Sequence, residues 1–183
     1  LFLNIFVFLD HYIFLKLKVE EYIEQLKKLD GTIKSRQQAA DRLTAGIENL
    51  AGLNTPFIPE KCTHVYYNYP LRINEDKTGV STSKIAEALN AEGVEVGTSY
   101  INVHKYPIYQ KKIAFGTNGY PWNNNGEVSN VKYDEGICPI AENLLKREYM
   151  SMDFCNYQYE DSEIDMYINA FEKIWSNLDR LKA

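Results

Sequence analysis

The stretch Gly93-Val94-Glu95-Val96-Gly97-Thr98-Ser99-Tyr100-Ile101-Asn102-Val103-His104-Lys105-Tyr106-Pro107-Ile108-Tyr109 organises the chain. Gly93 releases it from a preceding helix. Val94 to Val96 then reads as a short β-branched strand. Past Gly97 the sequence becomes a loop crowded with polar and aromatic tips: Ser99, Tyr100, Asn102, His104, Tyr106 and Tyr109. Pro107 suits the first turn of a short helix, so the loop is held by a strand at one end and a helical turn at the other. A loop braced in this way is a common place for recognition chemistry. From the residues alone it is a ligand-facing loop.

Upstream, Val19 to Leu50 has a helical period. Tyr22, Ile23, Leu26, Leu29 and Ile33 recur at three- and four-residue spacing, and Ala40, Leu43, Ile47 and Leu50 continue the stripe. Glu20, Glu24, Lys27, Lys28, Lys34 and Arg36 occupy the other side, Gly31 is a place for a bend, and Gly52, Pro56 and Pro59 end the run. His64 to Ile73 reads as a strand, with Val65, Tyr67 and Tyr69 on one face and Tyr66 and Asn68 on the other. Pro70 cannot donate to a ladder and implies an edge or a bulge. His64, at the entrance of that strand, reads as structural. Ser81, Thr82 or Ser83 caps a helix with Ile85, Ala86, Ala88 and Leu89 inward.

Beyond the opening loop, Gly116 to Asn130 is dominated by turn formers, and Tyr120 and Trp122 within it are either stacking residues or cover for the core. Tyr133 to Arg147 is expected as a helix with Ile140, Ala141, Leu144 and Leu145 buried. Glu148 to Phe154 is expected as a strand. A last helix, capped by Asp161 or Ser162, carries Ile164, Tyr167, Ile168, Phe171, Ile174, Trp175 and Leu178. This order predicts an α+β fold: a small antiparallel or mixed sheet with helices packed on it, preceded by a long amphipathic linker helix. The division is 1–18, an atypical apolar segment; 19–52, the linker helix; and 53–183, a C-terminal small domain.

The 183 residues, 45% of them hydrophobic, suffice for one buried core. A formal net charge of -5 argues against nucleic acid as a partner. Cys62, Cys138 and Cys155 lie far apart, without Cys-x-x-Cys spacing, so neither a zinc site nor a disulfide framework is expected, and reduced cytoplasmic thiols are. Cys138 reads as a small buried residue. Leu1 to Leu17 is rich in Leu, Ile and Phe, but Asp10 and His11 near its middle disfavour a membrane span. It has neither the basic start nor the cleavage site of a signal peptide, and the absence of an initial Met suggests that the chain begins inside a longer protein.

The pattern Gly-Val, Tyr, then His-x-x-Pro-x-Tyr in the opening loop resembles the small-domain loop of the DegT/StrS-type sugar aminotransferases. Gln25-Leu26-Lys27-Lys28-Leu29-Asp30, with Arg36, Ala40, Arg42 and Leu43, resembles that family's linker helix. Pro139-Ile140-Ala141-Glu142-Asn143-Leu144 is similar to its "P-x-A-E-x-L" helix. Two departures stand out. His11, Tyr12 and Ile13 occupy the places of the family's Asn-Tyr-Arg, and His104 follows Tyr100 by four positions where many members have one residue more.

The resemblance implies a pyridoxal-phosphate transaminase, cytoplasmic and homodimeric. Such an enzyme takes an amino group from glutamate and passes it to a nucleotide-linked keto sugar in cell-surface polysaccharide or amino-sugar biosynthesis. Tyr100, Asn102, His104, Tyr106 and Tyr109 are the implied substrate-binding residues, with Tyr100, Asn102 and His104 pointing out of the domain. The family's Schiff-base lysine sits in a Ser-rich, Gly-flanked segment upstream of the linker helix, and these 183 residues contain no such segment. Lys84, after Ser83, reads as a solvated helix lysine. The expectation is therefore a small domain without its cofactor domain: no catalytic and no cofactor-binding residue, and no transaminase activity in isolation. The competing readings are a non-catalytic interaction or decayed domain of the same fold, and a membrane-tethered domain using Leu1 to Leu17.

Overall fold

The computed structural model describes residues 2–124, 126–154 and 158–182, with side chains in the first helix from Lys18 onward. Cys155 lies outside the described residues. So do the side chains of Leu1 to Leu17. The first helix, α1, runs Phe2–Ile47, 46 residues without a break at Gly31. Its last turns bury Ala39, Ala40, Leu43 and Ile47. The earlier part of the apolar stripe is open: Tyr22 is 62% exposed and Leu26 65%. Periodicity tells which face of a helix is apolar, not what covers it. Among the described residues no helix is long and apolar enough to cross a membrane.

A three-stranded antiparallel sheet follows, in the order β1 (Leu53–Asn54), β2 (Tyr69–Ile73) and β5 (Tyr149–Met152). Leu71 faces Met150 and Tyr69 faces Met152. These four, with Ile73, turn into a core closed by α1, by α3 (Thr82–Ala91), which follows the short α2 (Glu75–Thr78), and by α6 (Asp161–Trp175). Ile85 and Leu89 of α3 and Ile164 and Phe171 of α6 are fully buried, each worth about 1.5–3 kcal/mol of transfer free energy. Arg42 of α1 grips Asp165 of α6 with two bonds of 2.8 Å, which fixes the register of these helices.

Pro70 sits in the central strand, and its position is permissible for a simple reason. Ser151, its partner, spends both its N–H and its C=O on Gly97 (2.8 and 2.9 Å). The missing donor of Pro70 therefore faces the other side of β2, where β1 reaches only Arg72 and Ile73.

Several sequence expectations are corrected. The strand expected from His64 begins only at Tyr69, because Tyr66 has φ 48° and its N–H is held by His64 Nδ1 at 2.9 Å. That left-handed residue inverts the alternation. Tyr66 and Tyr69 stack together in the core, while Val65 and Tyr67 face outward. His64 is structural, as read. Val94 to Val96 form no regular strand: the side chain of Asn90 takes both the C=O (3.0 Å) and the N–H (3.2 Å) of Val96, and only Gly97 pairs with the sheet.

The helix expected over Tyr133 to Arg147 shrinks to α5 (Pro139–Asn143) and a π-turn over Leu144–Glu148. Pro139 disfavours helical backbone at the residue before it, and Gly136 has φ 95°. Ile140 is 86% exposed, Ala141 is exposed and Cys138 is exposed, contrary to the buried set expected there. The 116–130 loop contains a small hairpin, β3 (Asn123–Asn124) with β4 (Glu127–Val128). The cap of α3 is Ser81, and that of α6 is Glu160, one residue before the expected caps, in a capping box with Glu163.

Candidate functional site

The Gly97 bridge starts the organising loop on the free edge of β5, and Pro107 ends it at the first turn of α4 (Pro107–Gln110). Between them Val103–Lys105 form a 3₁₀ turn, closed by Lys105 N–H to Asn102 C=O (2.9 Å) and Tyr106 N–H to Val103 C=O (3.1 Å). Three residues per turn place Asn102 and Lys105 one above the other, with His104 directed elsewhere. Asn102 and Lys105, with Tyr100, form one wall of a cleft of about 540 Å³. Glu142, Asn143 and Lys146 of α5 and its π-turn line the opposite wall.

Tyr100 is 62% exposed and lies edge-on to Tyr149, their ring centroids 6.1 Å apart. It also lines a second cleft of about 650 Å³, bordered by Tyr67, Glu95, Asp153 and Tyr159. Asn102 is half-buried. His104, expected to point outward, is instead 8% exposed. Its Nε2 is 3.2 Å from Glu142 Oε1 but out of line for a hydrogen bond. Its carbonyl accepts from Gln110 Nε2 at 2.7 Å.

Tyr106 is exposed on the same loop but does not line the cleft. Tyr109 packs edge-on against Trp122 at 6.0 Å and against Tyr133 at 5.3 Å, and Trp122 Nε1 donates to the Tyr133 hydroxyl at 2.8 Å. It is part of an aromatic cluster that supports the 116–130 loop, not of the cleft. The structure thus brings Tyr100 and Asn102 together, puts His104 behind them, and leaves Tyr106 and Tyr109 outside.

Glu142 is the electrostatic centre of the far wall. Its carboxylate accepts the Gly136 N–H at 2.8 and 3.0 Å and the Cys138 N–H at 3.1 Å. The Gly136 amide, then the Cys138 amide and the electrostatic influence of His104 and Lys105, hold its carboxyl below the usual carboxylate range against the opposing effect of burial. Sequence reasoning did not assign Lys105, Glu142, Asn143 or Lys146 to the site. The signal was present for two of them, since Glu142 and Asn143 stand in the Pro139 to Leu144 motif, but that the two motifs meet is a tertiary fact.

A pyridoxal-phosphate site needs a lysine in an enclosed pocket. Among the lysines from Lys18 onward, whose side chains are described, none is buried, and Lys84 Nζ reaches the Leu181 carbonyl at 3.3 Å on the domain's surface. The described residues therefore do not fit that cofactor. Among them there is also no cluster of His, Cys, Asp and Glu able to hold a metal ion.

The model of the DegT/DnrJ/EryC1/StrS aminotransferase family matches residues 22–124, which include the organising loop. An uncharacterized protein of Methanocaldococcus jannaschii is 32% identical over 154 residues, 84% of this chain and 35% of its own length. The spore coat polysaccharide biosynthesis protein SpsC of Bacillus subtilis is 36% identical over 101 residues, 54% of this chain and 26% of its own length. The chain thus spans about a third, or less, of these relatives. Among solved structures, the aminotransferase from Psychrobacter cryohalolentis superposes with a TM-score of 0.58 at 20% identity, over 85% of this chain and 37% of that one. S. venezuelae DesV, solved with a ketimine intermediate, superposes with 0.57 at 17% identity, over 85% and 34%. The fold is that of the aminotransferases, and the family match covers more than half of the sequence: the chain belongs to the DegT/DnrJ/EryC1/StrS aminotransferase family.

Proposed function

We propose that this chain supplies the sugar-facing wall of a pyridoxal-phosphate aminotransferase that aminates a nucleotide-linked keto sugar, with glutamate as donor, in polysaccharide or amino-sugar biosynthesis. The observation that carries the reading is the cleft bounded by Tyr100 and Asn102, which lie on the loop within the family match. A phenol and a carboxamide offer neutral donors and acceptors suited to sugar hydroxyls. Lys105 and Lys146 on its rims supply positive charge for a diphosphate. The relative named for spore coat polysaccharide biosynthesis supports a polysaccharide context. The cofactor is held by a part of the enzyme corresponding to the length of the relatives that this chain does not span. A homodimer in a reducing cytoplasm, with the exposed thiols of Cys62 and Cys138 free, completes the reading.

Two assays test it. The full natural protein, given pyridoxal phosphate, glutamate and a nucleotide-linked keto sugar, is expected to form the amino sugar. The 183-residue chain alone is expected to form none and to show no aldimine absorbance that disappears with borohydride. Absence of product across a panel of nucleotide-linked keto sugars with the full protein overturns the reading, and a specific aldimine on the chain alone overturns the assignment of the cofactor elsewhere.

A further inference from the structure

We infer that His104 and Glu142 are positioning residues that set the separation of the two cleft walls, and with it the placement of Tyr100 and Asn102. The inference rests on reading the cleft as the sugar-facing wall. His104 belongs to the organising loop and Glu142 to α5, 38 positions later in sequence, and their side chains meet beneath the cleft at 3.2 Å. Burying an imidazole against a carboxylate is an inefficient way to gain stability, since apolar side chains of the same volume do as well or better. The best-attested use of such a pair is to fix an arrangement.

The contact is also one half of a double link. Glu142 Oε1 lies within 3.0–3.2 Å of three nitrogens, those of Gly136, Cys138 and the His104 imidazole. On the backbone side of the same histidine, Gln110 Nε2 bridges the carbonyls of His104 (2.7 Å) and Tyr133 (2.8 Å). Both links join the loop to the 133–142 segment, one through the side chain of His104 and one through its carbonyl. Removing the imidazole leaves the second link in place. The variant is therefore expected to fold with its walls displaced.

The test is heteronuclear NMR of the 183-residue chain. His104→Ala and Glu142→Ala are expected to shift the amides of Tyr100 to Asn102 and of Gly136 to Cys138 alike, with those of Tyr69 to Ile73 unmoved. The double variant is expected to add nothing to either single one. His104→Gln, which returns a polar side chain that fills part of the imidazole's place beside Glu142, is expected to bring the Tyr100 and Asn102 amides back towards their original positions. Shifts confined to each substituted residue's sequence neighbours, additive in the double variant and not rescued by glutamine, overturn the inference even if both variants lower Tm. Titration of the unsubstituted chain with UDP-N-acetylglucosamine is a separate arm. Its failure to move the Tyr100 and Asn102 amides tells against the sugar reading, while the coupling between His104 and Glu142 is decided by the variants alone.

Discussion

Glu142 shows how one residue joins structure to pH. Its carboxyl is held below the ordinary range chiefly by the Gly136 amide. A carboxyl with a depressed folded pKa contributes its full stabilisation above its unfolded value, about 4.3, and loses it as pH falls through the folded value. Asp165, held down by Arg42, and Asp179, held down by Lys182, act in the same direction. Glu142→Gln isolates one contribution: the variant is expected to be less stable than the original chain at pH 7, with the difference shrinking as pH falls below about 4.3. Urea unfolding at a series of pH values measures it, and a gap that stays constant from neutral to acid pH refutes it. At this scale the sequence was partly legible. Tyr100 and Asn102 line the cleft. His104 does not, because a 3₁₀ turn sends its side chain inward, and nothing in the order Asn-Val-His-Lys distinguishes that turn from an extended loop.

Among the elements, α1 and α6 are tightly packed at Gly46. A Cβ there meets three side-chain carbons of Ile168 at 2.6–2.8 Å, whereas a Cβ on Gly31 of the same helix meets nothing within 4 Å. The two glycines therefore respond oppositely to the same substitution. Gly46→Ala is expected to destabilise the fold, since overpacking costs about 1–3 kcal/mol and the gain in helix propensity recovers at most about 1. Gly31→Ala is expected to strengthen its stretch of helix by about 0.5–1 kcal/mol. Denaturant midpoints report the first and hydrogen exchange of the amides around residue 31 the second; equal effects at both sites contradict the packing described. The helices with a buried stripe, α3 and α6, were legible because their periodicity and core coincide. The failures have local causes that override pattern: Tyr66 in a left-handed conformation, the Asn90 carboxamide occupying the backbone of Val96, and Pro139 delaying the start of α5.

Over the whole molecule, apolar side chains gather outside the core as well as within it. Tyr22, Leu26 and Leu29 along α1 and Ile140 on α5 are open to solvent. Exposed stripes of this kind promote association. The isolated chain is expected to self-associate with rising concentration in sedimentation experiments, and Leu26→Lys with Leu29→Lys to reduce that; a chain that stays monomeric throughout contradicts it. The α+β architecture was legible because it depends on element order. The reach of α1 beyond the core and the meeting of the two family motifs at His104 and Glu142 were not, since both depend on what lies beside a residue in space.

The central claim, that this chain faces the sugar and not the amino donor, is tested most directly by separating the two half-reactions in the full natural protein. Tyr100→Ala and Asn102→Ala are expected to raise KM for the nucleotide-linked keto sugar by about tenfold or more, the loss of one or two hydrogen bonds of about 1–1.5 kcal/mol. The half-reaction with glutamate is expected to keep its rate. Equal losses in both half-reactions, with folded protein at unchanged levels, contradict the assignment of this wall to the sugar.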